Sequence, residues 1–206
     1  MNGRMNEEIR KALLHGEEGF FRAIEEENPL YDTLRELMDL RGVPQNPQYH
    51  PEGDAFEHTM HVLCAAHQLI GQVKNPLAFM CAALTHDLGK AVCTVKNDKG
   101  NWTSIGHDNL GAPMAERMLL RMGASQEIID YCKDMVRLHM RAHICYYNGA
   151  KEEKTDALFD RALFPRELCL LAVCDARGKG HRSEAADAEE VFLMQRLESW
   201  EKRKKS

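Results

Sequence analysis

Residues 84–90 read Leu-Thr-His-Asp-Leu-Gly-Lys and place an imidazole, His86, next to a carboxylate, Asp87, at the end of the most apolar run in the chain, Leu77 to Leu84. Taking both groups out of water is costly unless they pair or bind a cation, and a metal ion satisfies both at once. Three more residues of ligand type fall on otherwise apolar helical stripes. His58 shares a face with Val62, Ala65 and Leu69, His139 with Cys132, Met135 and Val136, and Asp175 with Leu168, Leu171 and Ala172. His107 stands just before another helix.

Each of these residues has a plain reading. A single histidine on an apolar face is usually a core residue bonded to a carbonyl, and Asp175 alone could end a helix or join an ion pair. Their coincidence on inward faces points to ligands. His58, His86, Asp87 and Asp175 are expected to hold one divalent ion firmly. His107 and His139 could hold a second with Asp87 bridging, or else line the pocket and bond a phosphate. A mixed imidazole and carboxylate set suits Mn, Fe, Co, Ni or Zn rather than Ca. His61 lies one turn from His58 on the same face and competes for its role, whereas His15, His67, His143 and His181 read as surface or packing residues.

Such an ion lowers the pKa of a bound water and polarises a phosphoryl oxygen, which makes Asp87 and Lys90 the candidate catalytic residues. Charge developing on a phosphoryl group needs cations close by. Lys90, one turn beyond His86, and Arg177, just past Asp175, are the candidates for substrate binding alongside His107 and His139. Lys90 could equally be a solvated helix-end lysine, and Arg177 a surface ion pair. Glu52 and Asp54 are weaker candidates for proton transfer or for supporting a histidine, and Asp54 reads first as a helix cap.

The elements that must position these residues read as helices almost throughout, with no convincing alternation of apolar and polar residues. The pattern predicts helices over about 6–27, ended by Asn28-Pro29, and 30–41, ended by Gly42. Val43 to Gly53, with three prolines, is an irregular loop. Asp54-x-x-Glu57 is a capping box opening a helix to about 72. The next helix, 76–88, is apolar nearly all round and belongs at the centre. Residues 91–106 read as a loop with a turn at 97–101. Helices follow from Gly106-His107 to about 122 and onward from the cap Ser125. Residues 148–156 are polar and expected to be mobile. A helix from Phe164-Pro165 ends at Gly178 and Gly180, and a last helix covers about 183–201 before a basic tail.

A chain of 206 residues is long enough for a sizeable core. The formal charge of −5 argues against an extended nucleic-acid surface. The seven cysteines form no Cys-x-x-Cys pair, which fits small core residues in a reducing cytoplasm. The polar, acidic N-terminus is not a signal peptide, and no apolar run is long enough for a bilayer.

The pattern His58…His86-Asp87…Asp175 resembles the HD superfamily of metal-dependent phosphohydrolases. With Gly42-Val43-Pro44-Gln45, Tyr49-His50-Pro51-Glu52-Gly53-Asp54, Thr85 to Lys90, Gly106-His107-Asp108, Gly111-Ala112, Met114 to Arg117 and Asp175 to Lys179, it is similar to the HD domain attached to bacterial CCA-adding tRNA nucleotidyltransferases, over about residues 35–182. The nucleotidyltransferase half has no counterpart, so CCA addition is not implied. The resemblance implies an all-α HD-domain bundle around a central metal, as a single domain over 1–206 with helical extensions. It also implies hydrolysis of a phosphomonoester or a cyclic phosphodiester of a small nucleotide-like substrate. Two other classes compete: a non-catalytic nucleotide- or RNA-binding module, and a di-iron oxygenase on the same scaffold.

Overall fold

A computed structural model describes residues 4–179 and 184–205. The expected ends at Gly180 and residue 183, and His181, lie outside them. The fold is all-α, with one two-stranded hairpin. In chain order the elements are α1 (Glu7–His15), α2 (Glu18–Arg22), α3 (Arg35–Met38), α4 (Ala55–Leu69, running into a 3-10 turn at Ile70–Gln72), α5 (Pro76–Thr85), α6 (Lys90–Cys93), β1 (Val95–Lys96), β2 (Trp102–Thr103), α7 (His107–Met122), α8 (Gln126–Tyr147), α9 (Glu152–Arg161), α10 (Pro165–Arg177) and α11 (Glu184–Lys205). Among the described residues no helix is long and apolar enough to cross a membrane.

The helices that carry the site start where local chemistry dictates. Asp54 accepts from the Glu57 amide at 2.9 Å to cap α4. Asn75 accepts from the Ala78 amide at 3.1 Å, with Pro76 as the first residue of α5. Ser125 caps α8. Every residue of α5 from Ala78 to Thr85 is buried, and α4, α8 and α10 pack around it. The helix that is apolar all round is therefore the central one, and its end delivers His86 and Asp87 into the core.

Several expected boundaries are corrected. The helix read over 6–27 is broken at Gly16, which caps α1 in a left-handed conformation (φ 67°). The stretch 30–41 is mostly turns, with one helical turn at Arg35–Met38. The helix read over 76–88 ends at Thr85. The loop read over 91–106 contains part of α6 and the hairpin, closed around the expected turn by the Asn97 side chain, which accepts from the amides of Lys99 and Asn101. Two residues per strand are too few to show alternation. Residues 152–156, read as mobile, open α9, whose mostly polar sequence buries only Thr155, Leu158 and Phe159.

Two glycines let the site elements meet. A Cβ on Gly89 would lie 2.0 Å from the His107 carbonyl oxygen and 2.8 Å from the Gly111 amide nitrogen. The turn after Asp87 thus lies directly against the start of α7. A Cβ on Gly178 would lie 2.5 Å from Val62 Cγ2 and 3.2 Å from His58 Cε1, so the end of α10 is pressed onto α4. Because Gly89 faces backbone, which cannot swing aside, Gly89→Ala is expected to destabilise the fold by at least about 2 kcal/mol. Thermal denaturation should show a drop of several degrees, whereas Gly19→Ala, in α2 with open space around it and no left-handed backbone, should cost far less.

Candidate metal centre

The side chains of His58 (α4), His86 and Asp87 (after α5), His107 (α7), His139 (α8) and Asp175 (α10) converge, and all six are buried. Asp87 lies between two groups. Its Oδ2 is 3.2 Å from His86 Nε2 and 3.8 Å from His58 Nε2, while its Oδ1 is 3.2 Å from His107 Nε2 and 3.8 Å from His139 Nε2. One carboxylate oxygen thus faces each histidine pair. Asp175 closes the first group, with Oδ1 2.9 Å from His58 Nε2. Ligand atoms of His58, His86 and Asp175 lie within 4.8 Å of one another, as do those of Asp87, His107 and His139.

The backbone fixes the ring protons. His86 Nδ1 donates to the Ala83 carbonyl at 2.8 Å, His139 Nδ1 to Val136 at 2.8 Å, and His107 Nδ1 to Ser104 at 2.7 Å. A carbonyl only accepts, so each Nδ1 carries a proton, and in the neutral ring each Nε2 presents a lone pair to the centre. His107 Nε2 and His139 Nε2 then face each other at 3.2 Å, an arrangement that calls for a proton or a cation. His86 Nε2 is buried and makes no hydrogen bond, while the buried Asp87 Oδ2 is ion-paired with Lys90 Nζ. Buried polar atoms without partners are rare, and His86 Nε2 faces Asp87 Oδ2 at 3.2 Å while its ring proton is committed to Ala83. The set fits a borderline divalent ion.

Electrostatics are consistent with a site that expects positive charge. Burial alone would raise the Asp87 pKa, but Lys90, His86 and the bond from His107 together hold it well below the usual carboxylate range. Burial, then the neighbouring His107 and His86, push His139 down to about 3, so it stays neutral. Lys90 Nζ forms an ion pair with Asp87 Oδ2 at 2.6 Å and donates to Gln45 Oε1 at 2.7 Å.

Glu52 supports the site from the irregular loop. Its Oε1 accepts from His58 Nδ1 at 2.7 Å and from His50 Nδ1 at 2.8 Å, and these bonds outweigh burial to bring Glu52 down to about 2. Asp54 acts as a cap, as the sequence indicates. His61 turns away, its Nδ1 3.2 Å from the Gly178 carbonyl, so His58 is the residue of that face that joins the centre. Arg177 does not reach the pocket, because its guanidinium pairs with Glu190 Oε2 at 2.6 Å. Lys179, two residues on, lines the pocket instead.

The largest correction is His143. Sequence reasoning places it on the surface or in packing, yet it is buried, with Nε2 2.8 Å from Asp175 Oδ2 and Nδ1 2.6 Å from Glu189 Oε1. Its one sequence signal is the i,i+4 spacing from His139 on α8, which puts the two on one helix face. The centre floors a pocket of about 870 Å³, lined by Asp87, Lys90, His107, His143, Asp175 and Lys179 below and by Tyr49, Trp102 and Tyr147 among others above.

Burial opposes the charged form of His143, but Asp175 and Glu189 overcome it and raise its pKa from 6.5 to about 9. A group raised on folding contributes stability that is complete below the unfolded value and is lost as pH climbs through the folded one. Metal-free protein should therefore lose on the order of 3 kcal/mol from this source between pH 6.5 and about 9. Melting temperatures across that range should fall in the wild type and stay flatter in His143→Gln. Parallel slopes would contradict this assignment.

The HD domain family model matches residues 55–177. A multifunctional CCA protein of Alkalilimnicola ehrlichii is 33% identical over 183 residues, covering 85% of this chain and 42% of the relative. The protein of the same description from Pasteurella multocida is 30% identical over 200 residues, covering 93% and 46%, and that of Acidovorax sp. strain JS42 is 32% identical over 183 residues, covering 85% and 41%. The chain spans less than half the length of these relatives.

Proposed function

The chain belongs to the HD domain family, and we propose that it is a metal-dependent phosphohydrolase acting on a phosphomonoester or a cyclic phosphodiester of a nucleotide-like substrate. The observation that carries this reading is the Asp87 carboxylate, buried at the pocket floor with one oxygen toward each of two histidine pairs. His58, His86, Asp87 and Asp175 would hold one divalent ion. Asp87, His107 and His139 would hold a second. Bound there, such ions supply Lewis acidity and a water made nucleophilic near neutral pH.

The chain's own residues do the rest. The Nδ1 bonds to backbone carbonyls keep the Nε2 atoms of His86, His107 and His139 directed at the centre, and Glu52 does the same for His58. Lys90 is held at the pocket floor by Gln45 and can meet phosphoryl charge without leaving its tether. Lys179 approaches from the side of α10. The pocket is far larger than a phosphate group and lies in the range of sites for small organic ligands, which favours a phosphoester with a substantial leaving group.

The test is hydrolysis of bis-p-nitrophenyl phosphate and 2′,3′-cyclic AMP by protein stripped with chelator and reloaded with Mn, Co or Ni. Turnover is expected only in the reloaded protein, and Asp87→Ala should lose metal and activity together. Lys90→Ala should retain metal while kcat falls by ~10²–10³-fold, the effect of removing one preorganised charge-stabilising group. Metal-loaded protein that turns over no phosphoester would instead favour a non-catalytic binding module.

A further inference from the structure

We infer that His143 and Glu189, through a hydrogen-bonded arm reaching from the C-terminal helix, are positioning residues that fix the Asp175 carboxylate for metal binding. The inference rests on the reading of the centre as a metal site. The two oxygens of Asp175 have separate partners, Oδ1 with His58 Nε2 at 2.9 Å and Oδ2 with His143 Nε2 at 2.8 Å. The other nitrogen of His143 meets Glu189 Oε1 at 2.6 Å. His58 shares a group of ligand atoms with His86 and Asp175, whereas His143 meets Asp175 through its other oxygen and belongs to no such group among the described residues, so His143 orients a ligand and is not one itself.

The placement of Glu189 argues for this role. The buried stripe of α11 consists of Ala186, Glu189, Leu193 and Leu197. A single carboxylate, 1% exposed, interrupts an otherwise apolar face at the position that meets His143. A buried charge is a poor source of stability compared with a well-packed apolar residue, so packing alone does not account for it. The far end of the chain of bonds is built alike, where the side chain of Glu52 is fully buried and holds His58 Nδ1. Glu52, His58, Asp175, His143 and Glu189 thus form one continuous buried series with every contact at 2.9 Å or less. Both terminal glutamates lie outside residues 55–177, the stretch the family model matches. The centre is therefore clamped from two segments beyond that core. Groups that orient metal ligands in this way typically change metal affinity by ~10–100-fold when removed.

The experiment is calorimetric titration of the metal-free 206-residue chain with Mn(II). Glu189→Gln and His143→Gln are each expected to weaken binding by ~10–100-fold, and the double variant should be no weaker than the weaker single one, because Glu189 acts through His143. In Co(II)-loaded protein the visible absorption bands, which report ligand geometry and not general packing, should shift in Glu189→Gln. Wild-type affinity and an unchanged Co(II) spectrum in Glu189→Gln would overturn the inference, as would losses that simply add. If Glu189→Gln does not fold, Glu189→Asp, with its charge on a shorter stem, takes its place with the same expected shift and the same refutation. Wild-type protein that binds no Mn(II) or Co(II) would instead remove the metal reading, a distinct failure.

Discussion

A carboxylate buried to 2% exposure with an imidazole group on either side is the constraint around which this molecule is built. Asp87 cannot be left in the core as an isolated charge. Lys90 answers part of that demand from one side, and the histidine Nε2 atoms surround the rest with lone pairs that also need a positive partner. Aspartate, lysine and histidines thus form a set that a cation completes. The apolar character of α5 gives the carboxylate no route to water except through the pocket.

The helices serve that arrangement by closeness. Gly89 against the His107 carbonyl and Gly178 against Val62 bring backbones to distances that side chains would forbid, and short side chains such as Asp87 and Asp175 can then reach across. The loop from Gly42 to Asp54 has no regular structure, yet Asp54 anchors it by accepting from the Gly42 amide while capping α4. From that loop Gln45 reaches Lys90 and Glu52 reaches His58. An irregular segment is the means by which one stretch of chain addresses both sides of the centre.

Much of this is legible in the amino-acid order because the governing signals are local. The capping side chains of Asp54, Asn75 and Ser125, the run of apolar residues in α5 and the ligand types on inward stripes all act within a few residues, and the HD motif ties them together. What is hidden depends on contacts between distant segments. His143 carries the same local pattern as any helix-face histidine, and only the docking of α11 reveals Glu189 as its partner. Arg177 looks like a phosphate ligand from its place after Asp175, but Glu190 on the following helix claims it. The hairpin escapes notice because two-residue strands carry no periodicity, and the break at Gly16 because amphipathic spacing continues across it.

The centre is tested most directly by anomalous diffraction at the manganese edge from crystals grown with Mn(II). The account predicts anomalous density beside each oxygen of Asp87, one peak toward His58, His86 and Asp175 and one toward His107 and His139. Crystals of well-folded protein with no anomalous density at Asp87, or with manganese only at surface carboxylates, would contradict it.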